Sequence, residues 1–460
     1  MLTKKLIKEI KLDGNGSFEI LINNNNSNSG NLVFILENLG RLPDNFNGDT
    51  LVDLTKSKFS QVRELAVKNI GKLSDDKYID ILENIAKSDT DTGVRREAVS
   101  AIGRMRNISN CTILISFLDD HDPKIVCQAI RGLLIFKGEE NVDNSLSKLI
   151  QHENEIIRTI ISKEYFSEAK ANKNSIPHNE SFEYLKNVVV NSDVRTALKL
   201  IPDESIHLTF TSPPYYNARD YSIYPSYEAY LKFLEEVFLE TFRTTKEGRF
   251  LIINTSPVII PGISHSHSSR RYPIPFDLHG RLVGIGWEFI DDIIWLKPEY
   301  SVKNRVGGFY QHRKPLGYKP NSITEYLMVY RKHTDKLLDW NIHQYNADVV
   351  NDSKVDDGYE ITNVWKIDPK FDKVHSAVFP YELCKRVIQY YSFKGDLVFD
   401  PFAGSGTLGI TAKSLDRLFF LTEREQKYFE YMQTFLNEDS LFKDKPVQFL
   451  SIEQFKESIK

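Results

Sequence analysis

DLVFDPFAGSGTLG, residues 396–409, decides the fold. An apolar run ends on Asp400 and passes at once into a glycine-rich turn, the pattern of a central β-strand handing over to a helix. In open α/β sheets, ligands sit at such carboxyl ends. Gly404, Gly406 and Gly409 spell G-x-G-x-x-G, and Glu423 follows Gly404 by 19 residues, close to a dinucleotide fingerprint. A nicotinamide or flavin reading is therefore open, as is a glycine turn needed only for tight packing. Electrostatics favours a third ligand. A carboxylate at the loop's mouth repels a pyrophosphate and attracts a cationic sulfonium bearing an α-ammonium group, so S-adenosylmethionine is the better match. Glu423, after the strand-like RLFFLT, can then accept from both ribose hydroxyls.

Around this loop, β-rich runs alternate with helical stretches. KNVVV (186–190), SIHLTFT (205–211), RFLIIN (249–254), DDIIWL (291–296) and EYLMVY (325–330) read as strands; 227–245 and 381–391 read as helices. Such alternation predicts an α/β domain with a largely parallel sheet. A second strand end is chemically loaded: SIHLTFTSPPYYNARDY (205–221). Pro213 and Pro214 lack amide donors and force a rigid exit from the sheet, which fixes Ser212 and Tyr215 at its edge. The amino group of a nucleobase is a poor nucleophile, its lone pair delocalised into the ring. The Ser212 hydroxyl and Pro213 carbonyl can orient its hydrogens, while Tyr215 offers a face for stacking. That describes a pocket for an extruded base, although SPPY alone also reads as a plain turn.

The first third of the chain is different. Residues 5–22 alternate apolar and polar around DGNG and predict a β-hairpin; the polar run Asn23 to Asn31 predicts a loop. From about residue 50 a motif recurs: VRELAVKNIG at Val62, VRREAVSAIG at Val94, IVCQAIRGLL at Ile125 and IIRTIISKEY at Ile156, spaced by 32, 31 and 31 residues. Each copy follows a second amphipathic stretch across an Asp-rich turn, the sequence of stacked helical hairpins in an α-solenoid. These copies resemble HEAT-like repeats over 30–168. Asp89, Asp91, Asp119, Asp120 and Asp122 crowd the turns, whereas Arg63, Arg95, Arg96, Arg104, Arg106 and Arg131 lie on or beside the second helices, the face that any DNA contact would use.

With 460 residues the chain has room for about two or three domains, and 41% hydrophobic with 27% charged residues is the balance of a soluble protein. Three dispersed cysteines argue against a disulfide framework or zinc site and for a reducing cytoplasm. No stretch suits a signal peptide or spanning helix, so no membrane role is expected. A net charge of −4 makes any DNA-binding face local. One such face is residues 297–319, where Lys297, Lys303, Arg305, Arg313, Lys314 and Lys319 oppose Glu299 alone, a composition suited to phosphate contacts. His265 and His267 have no acidic neighbour and read as a solvated loop, not a metal site.

TSPPY (211–215), followed by DDIIWLKP (291–298), HSAVFPYELCKRVI (375–388) and DPFAGSGT (400–407), resembles the permuted β group of DNA amino-methyltransferases, which modify N4 of cytosine or N6 of adenine. The resemblance spans about 183–435. It implies Ser212, Pro213, Pro214 and Tyr215 as the catalytic tetrad and Asp400, Pro401, Phe402, Gly404, Gly406 and Thr407 as the cofactor loop. Glu423 would take the ribose; His375, Ser376 and Phe379 would lie against the methionine part; Asp193 matches an acid near the cofactor. His207 stands where the family usually has Asp, and Leu408 replaces a second Thr.

The expected architecture is a Rossmann-like S-adenosylmethionine-dependent methyltransferase domain preceded by an all-α HEAT-like solenoid. Its parts are a hairpin and loop (1–29), the solenoid (30–168), a linker (169–182) and the methyltransferase domain (183–460), with a recognition region at about 299–362. The partner is double-stranded DNA, with a protein partner for the solenoid as a further expectation. Serine at the first tetrad position leans towards N4 of cytosine, with N6 of adenine the alternative. A non-catalytic adaptor with a degenerate methyltransferase fold is the competing class.

Overall fold

The computed structural model describes residues 2–13, 15–43, 46–166, 176–216, 224–260, 266, 269–302, 315–316, 320–355, 357–370, 380–437 and 446–459. Two compact units divide the chain, Met1–Ala171 and Asn172–Lys460.

In the first unit the repeat becomes paired helices. Asp49–Leu54 precedes Ser60–Leu73, Ile79–Ser88 precedes Thr92–Arg104, Cys111–Ser116 precedes Pro123–Leu133, and Glu140–Ser147 precedes Glu155–Ile161. The recurring apolar positions, Val62, Ala66 and Ile70 in one copy and Val94, Ala98 and Ile102 in the next, are buried in one continuous core. The second helices approach so closely that a Cβ on Gly103 would stand 3.0 Å from the Gly132 Cα. The aspartates of the turns have two tasks. Asp91 and Asp122 cap the helices that follow them, accepting from Gly93 and Lys124 amides at 2.8 and 2.9 Å. Asp89, Asp120 and Asp122 also bind arginines of the preceding repeat, Arg63, Arg95 and Arg96. Those three arginines lie on or beside the second helices, the face that any DNA contact of the solenoid would use, and the structure commits them to inter-repeat pairs.

The expected N-terminal β-hairpin is corrected: residues 4–23 form the helices Lys4–Asp13 and Asn15–Asn23. Alternation would bury Phe18, Ile20 and Ile22 together, yet Ile20 is 62% exposed while Phe18 and Ile22, four apart on one helical face, join the solenoid core with Ile7. Residues 1–29 are thus part of the helical unit. The polar run also ends earlier than expected, since Asn28 caps a helix at Ser29–Glu37.

The second unit is built on β1 (Val188–Asn191), β2 (Ile206–Thr211), β3 (Thr245–Thr255), β4 (Val258–Ile260), β5 (Arg270–Tyr272), β6 (Trp287–Leu296), β7 (Thr324–Lys332), β8 (Val364–Lys366), β9 (Leu397–Asp400), β10 (Leu418–Glu423) and β11 (Gln448–Ser451). Nine form one sheet in the order β11-β1-β10-β9-β2-β3-β7-β6-β8, and β4 pairs with β5 in a separate hairpin. The strands from β11 to β3 run parallel; β7 runs antiparallel to both β3 and β6. Successive strand residues face opposite cores. Val189, Val398 and Leu327 pack with helices Tyr381–Tyr391 and Gln426–Asn437 on one face, whereas Val188, Phe399 and Met328 pack on the other. This is the expected Rossmann-like sandwich.

The second half of the expected linker is not free chain. Lys246 donates to the Pro177 carbonyl, and the His178 ring stacks on Trp340 at 4.7 Å. His207, buried on β2, holds this segment: Nδ1 accepts from the Leu397 amide at 3.0 Å, which leaves Nε2 to donate to the His178 carbonyl at 3.0 Å. Burial keeps this imidazole neutral, its pKa well below the usual value. Asp396 beside it is paired with Arg249 and accepts from Tyr345 at 2.5 Å. His207 therefore fastens structure at the end of the sheet where β9 begins.

Candidate active site

Four adjacent parallel strands, β1, β10, β9 and β2, bring their carboxyl ends to one edge. β9 and β10 end on residues singled out by the sequence, and those that follow β1 and β2 come within a few positions of the strand end. β9 ends on Asp400, whose carboxyl is buried and accepts from the Thr211 hydroxyl at 2.6 Å and from the Phe402 amide at 3.0 Å. Burial pushes its pKa up to about 7, against the pull of those two donors, and nearby Glu423 adds to the rise. The glycine loop turns through Gly404 and Gly406 at φ +53° and +77°, conformations that suit glycine, and enters the helix Thr407–Ser414.

β10 ends on Glu423. One carboxylate oxygen accepts from the Gly404 amide and the other from the Glu425 amide, both at 2.8 Å. Burial raises this acid too, and each oxygen keeps a lone pair for another donor. Beyond β1, Asp193 caps the helix Val194–Leu198 and pairs with Arg195 at 3.0 Å. The Ser192 amide meets the Glu423 carbonyl at 3.0 Å, so Asp193 stands beside Glu423. The two buried acids of raised pKa, Asp400 and Glu423, form a site that favours a cation, while the charge of Asp193 beside them is already met by Arg195.

β2 leads into Ser212, Pro213, Pro214 and Tyr215. Pro213 is buried; Ser212, Pro214 and Tyr215 are half-buried. The Tyr215 hydroxyl donates to Glu325 at 3.1 Å, and burial together with that carboxylate holds its pKa well above the ordinary phenol value. Tyr216 turns into an aromatic wall with Tyr272 (4.9 Å), Tyr227 (5.3 Å) and Tyr230 (5.6 Å). The parallel pairing Thr209↔Phe399 sets β2 against β9, and Thr211 joins the two strand ends directly. Acceptor-type and cation-favouring groups thus share one edge.

Lys297 was expected to reach phosphate. It is instead ion-paired with Glu325 and lies over the Trp295 ring at 4.6 Å, because β6 and β7 pair tightly where it leaves the sheet. The other five cations of that segment, Lys303, Arg305, Arg313, Lys314 and Lys319, lie outside the described residues, as do His375, Ser376, Phe379, His265 and His267. Sequence reasoning missed Glu325 and Thr211. Thr211 had a signal, a hydroxyl at the last strand position before SPPY; Glu325 had none, standing 110 residues from Tyr215.

The sequence profile of the DNA methylase family that includes N6 and N4 methyltransferases matches residues 206–434, and that of HEAT repeats matches 79–162. The chain is 26% identical over 253 residues to the type II β methyltransferase M.BslI of Bacillus sp. (strain NEB-606), covering 53% of this chain and 26% of that protein. It is 30% identical over 258 residues to the orphan methyltransferase M.BamHII of Bacillus amyloliquefaciens, covering 50% of this chain and 87% of that protein. The chain therefore spans about a quarter of M.BslI and most of M.BamHII. Among solved structures, the cytosine-N4-specific PvuII DNA methyltransferase is similar with a TM-score of 0.42 at 18% identity, over 63% of this chain and 95% of that one.

Proposed function

Because the chain belongs to the DNA amino-methyltransferase family, we propose that it transfers a methyl group from S-adenosylmethionine to the exocyclic amino group of a base in double-stranded DNA, N4 of cytosine in the first instance. One observation carries the reading: Thr211, the residue before the SPPY tetrad, is hydrogen-bonded to Asp400, the residue that opens the glycine loop. Acceptor pocket and cofactor loop are one construction.

The residues present fit the cofactor. Asp400, buried and raised to about 7, gains an ionised state when a cation arrives, and the spare lone pairs of Glu423 suit a diol. Asp400, Pro401, Phe402, Gly404, Gly406 and Thr407 would form the loop around it, Glu423 would take the ribose, and Asp193 would stand beside it. His375, Ser376 and Phe379 would close the methionine side. Bound there, S-adenosylmethionine supplies an electrophilic methyl group. The chain's own part is orientation. The Ser212 hydroxyl and Pro213 carbonyl accept from the amino group and aim its lone pair, Tyr215 stacks on the extruded base, and the aromatic wall excludes water. Lys303, Arg305, Arg313, Lys314 and Lys319 would contact phosphate, and the solenoid would grip DNA or hold a protein partner, as in a restriction-modification pair.

Mass spectrometry of nucleosides tests this. Unmethylated DNA incubated with protein and S-adenosylmethionine should yield N4-methylcytosine. N6-methyladenine would keep the class and change the base. An unmodified digest with intact cofactor binding would favour the adaptor reading, and loss of both would overturn the proposal.

A further inference from the structure

One buried charged pair that the proposed function does not use touches the SPPY segment itself. Lys297 and Glu325, with side chains only 17% and 16% exposed, close the base of segment 298–324, where the Lys297 amide also donates to the Ile323 carbonyl at 2.8 Å. A buried ion pair is a poor way to stabilise a hairpin, since desolvation cancels most of its attraction and an apolar pair would serve as well. The Glu325 oxygens are divided between tasks: one faces Lys297 and the other accepts from Tyr215 at 3.1 Å.

We propose that Glu325, neutralised by Lys297, is a positioning residue for methyl transfer: it tethers the Tyr215 hydroxyl and so fixes the place of the ring on which the target base stacks. This rests on the function proposed above. Tyr215 is held at its backbone by the Pro213–Pro214 stem and at its far end by Glu325, so the axis of its ring is fixed at both ends. Its hydroxyl stays protonated and is spent on Glu325, which makes Tyr215 a platform and not an acid. A displacement of about 1 Å at a reacting centre costs on the order of a hundredfold in rate.

The test is a double-mutant cycle on the full chain, with radiolabelled S-adenosylmethionine and unmethylated genomic DNA. Tyr215→Phe keeps the ring and loses the tether; Glu325→Ala loses the acceptor; Glu325→Gln keeps an acceptor oxygen. Tyr215→Phe and Glu325→Ala should each lower kcat about tenfold, the size of one hydrogen bond to a charged group, with cofactor affinity unchanged. The double variant should be no slower than either single one, and Glu325→Gln should recover part of the loss. Additive losses, or normal kcat in a Glu325→Ala protein that merely melts earlier, would overturn the tether. Should Glu325→Ala not fold, the cycle of Tyr215→Phe with Glu325→Gln decides it by the same non-additivity. A wild-type protein that methylates no DNA would instead overturn the function on which the inference rests.

Discussion

The Thr211 hydroxyl lies 2.6 Å from Asp400 Oδ1, joining two strand ends 189 residues apart in the chain. The bond stabilises the ionised carboxylate of a group that burial otherwise drives towards neutrality, with a net pKa of about 7. A cationic ligand should therefore bind best when Asp400 is ionised. Affinity for S-adenosylmethionine should weaken as pH falls through about 7, by at most about tenfold per unit, and calorimetry between pH 5.5 and 8.5 measures it. Thr211→Val removes a donor that favours the charged form and should move the break to higher pH. Stability runs the other way: a carboxyl whose folded pKa is raised costs the ligand-free protein stability as pH climbs from the unfolded value near 4 to about 7. A flat affinity profile would remove Asp400 from the cofactor site.

Replacing Asp400 by Asn keeps the shape and removes the charge. Binding of S-adenosylmethionine should fall more than binding of S-adenosylhomocysteine, whose sulfur is uncharged. Equal losses for both ligands would show that Asp400 only shapes the loop.

Truncating Tyr215 to Ala removes the stacking face, worth about 1 to 3 kcal/mol per base. Methylation should fall while S-adenosylmethionine affinity stays near its original value. Undiminished activity would take Tyr215 out of the pocket.

Much of the site was legible because the chemistry follows local rules. Asp400 and its glycine turn, and Ser212 to Tyr215 with their two prolines, announce a strand exit by backbone constraints alone. Short β-rich runs marked β1, β2, β3, β6, β7, β9 and β10 for the same reason, whereas the expected N-terminal hairpin rests on apolar–polar alternation. It failed at residues 4–23, where Phe18 and Ile22 satisfy periods of two and of about four at once and only burial against Ile7 and Leu32 decides. Long-range pairings were invisible. Lys297 reads as one cation among six until β7 brings Glu325 across to it, and Arg63 reads as an unpaired cation of the second-helix face until the next repeat supplies Asp89.

That last pairing makes the solenoid testable on its own terms. Arg63 donates twice to Asp89, both at 2.8 Å, and their side chains are 13% and 9% exposed. Burial alone would raise the Asp89 pKa, but the Arg63 hydrogen bonds and charge and the Asp91 amide outweigh it, and the carboxyl titrates below its ordinary range. Its contribution to stability is thus present above the unfolded pKa near 4 and is lost as pH falls through the lower folded value. Asp89→Ala strands a largely buried guanidinium and should cost about 1 to 3 kcal/mol at neutral pH, whereas pairing it with Arg63→Met should recover most of that, since an apolar pair carries no desolvation penalty. In a repeat array each unit leans only on its neighbours. Hydrogen exchange in Asp89→Ala should accelerate in the helices Ser60–Leu73 and Ile79–Ser88 before it does in Glu155–Ile161. Uniform acceleration along the unit would mean that the solenoid unfolds as one block, and unchanged exchange would mean that the Arg63–Asp89 pair contributes nothing to the stacking.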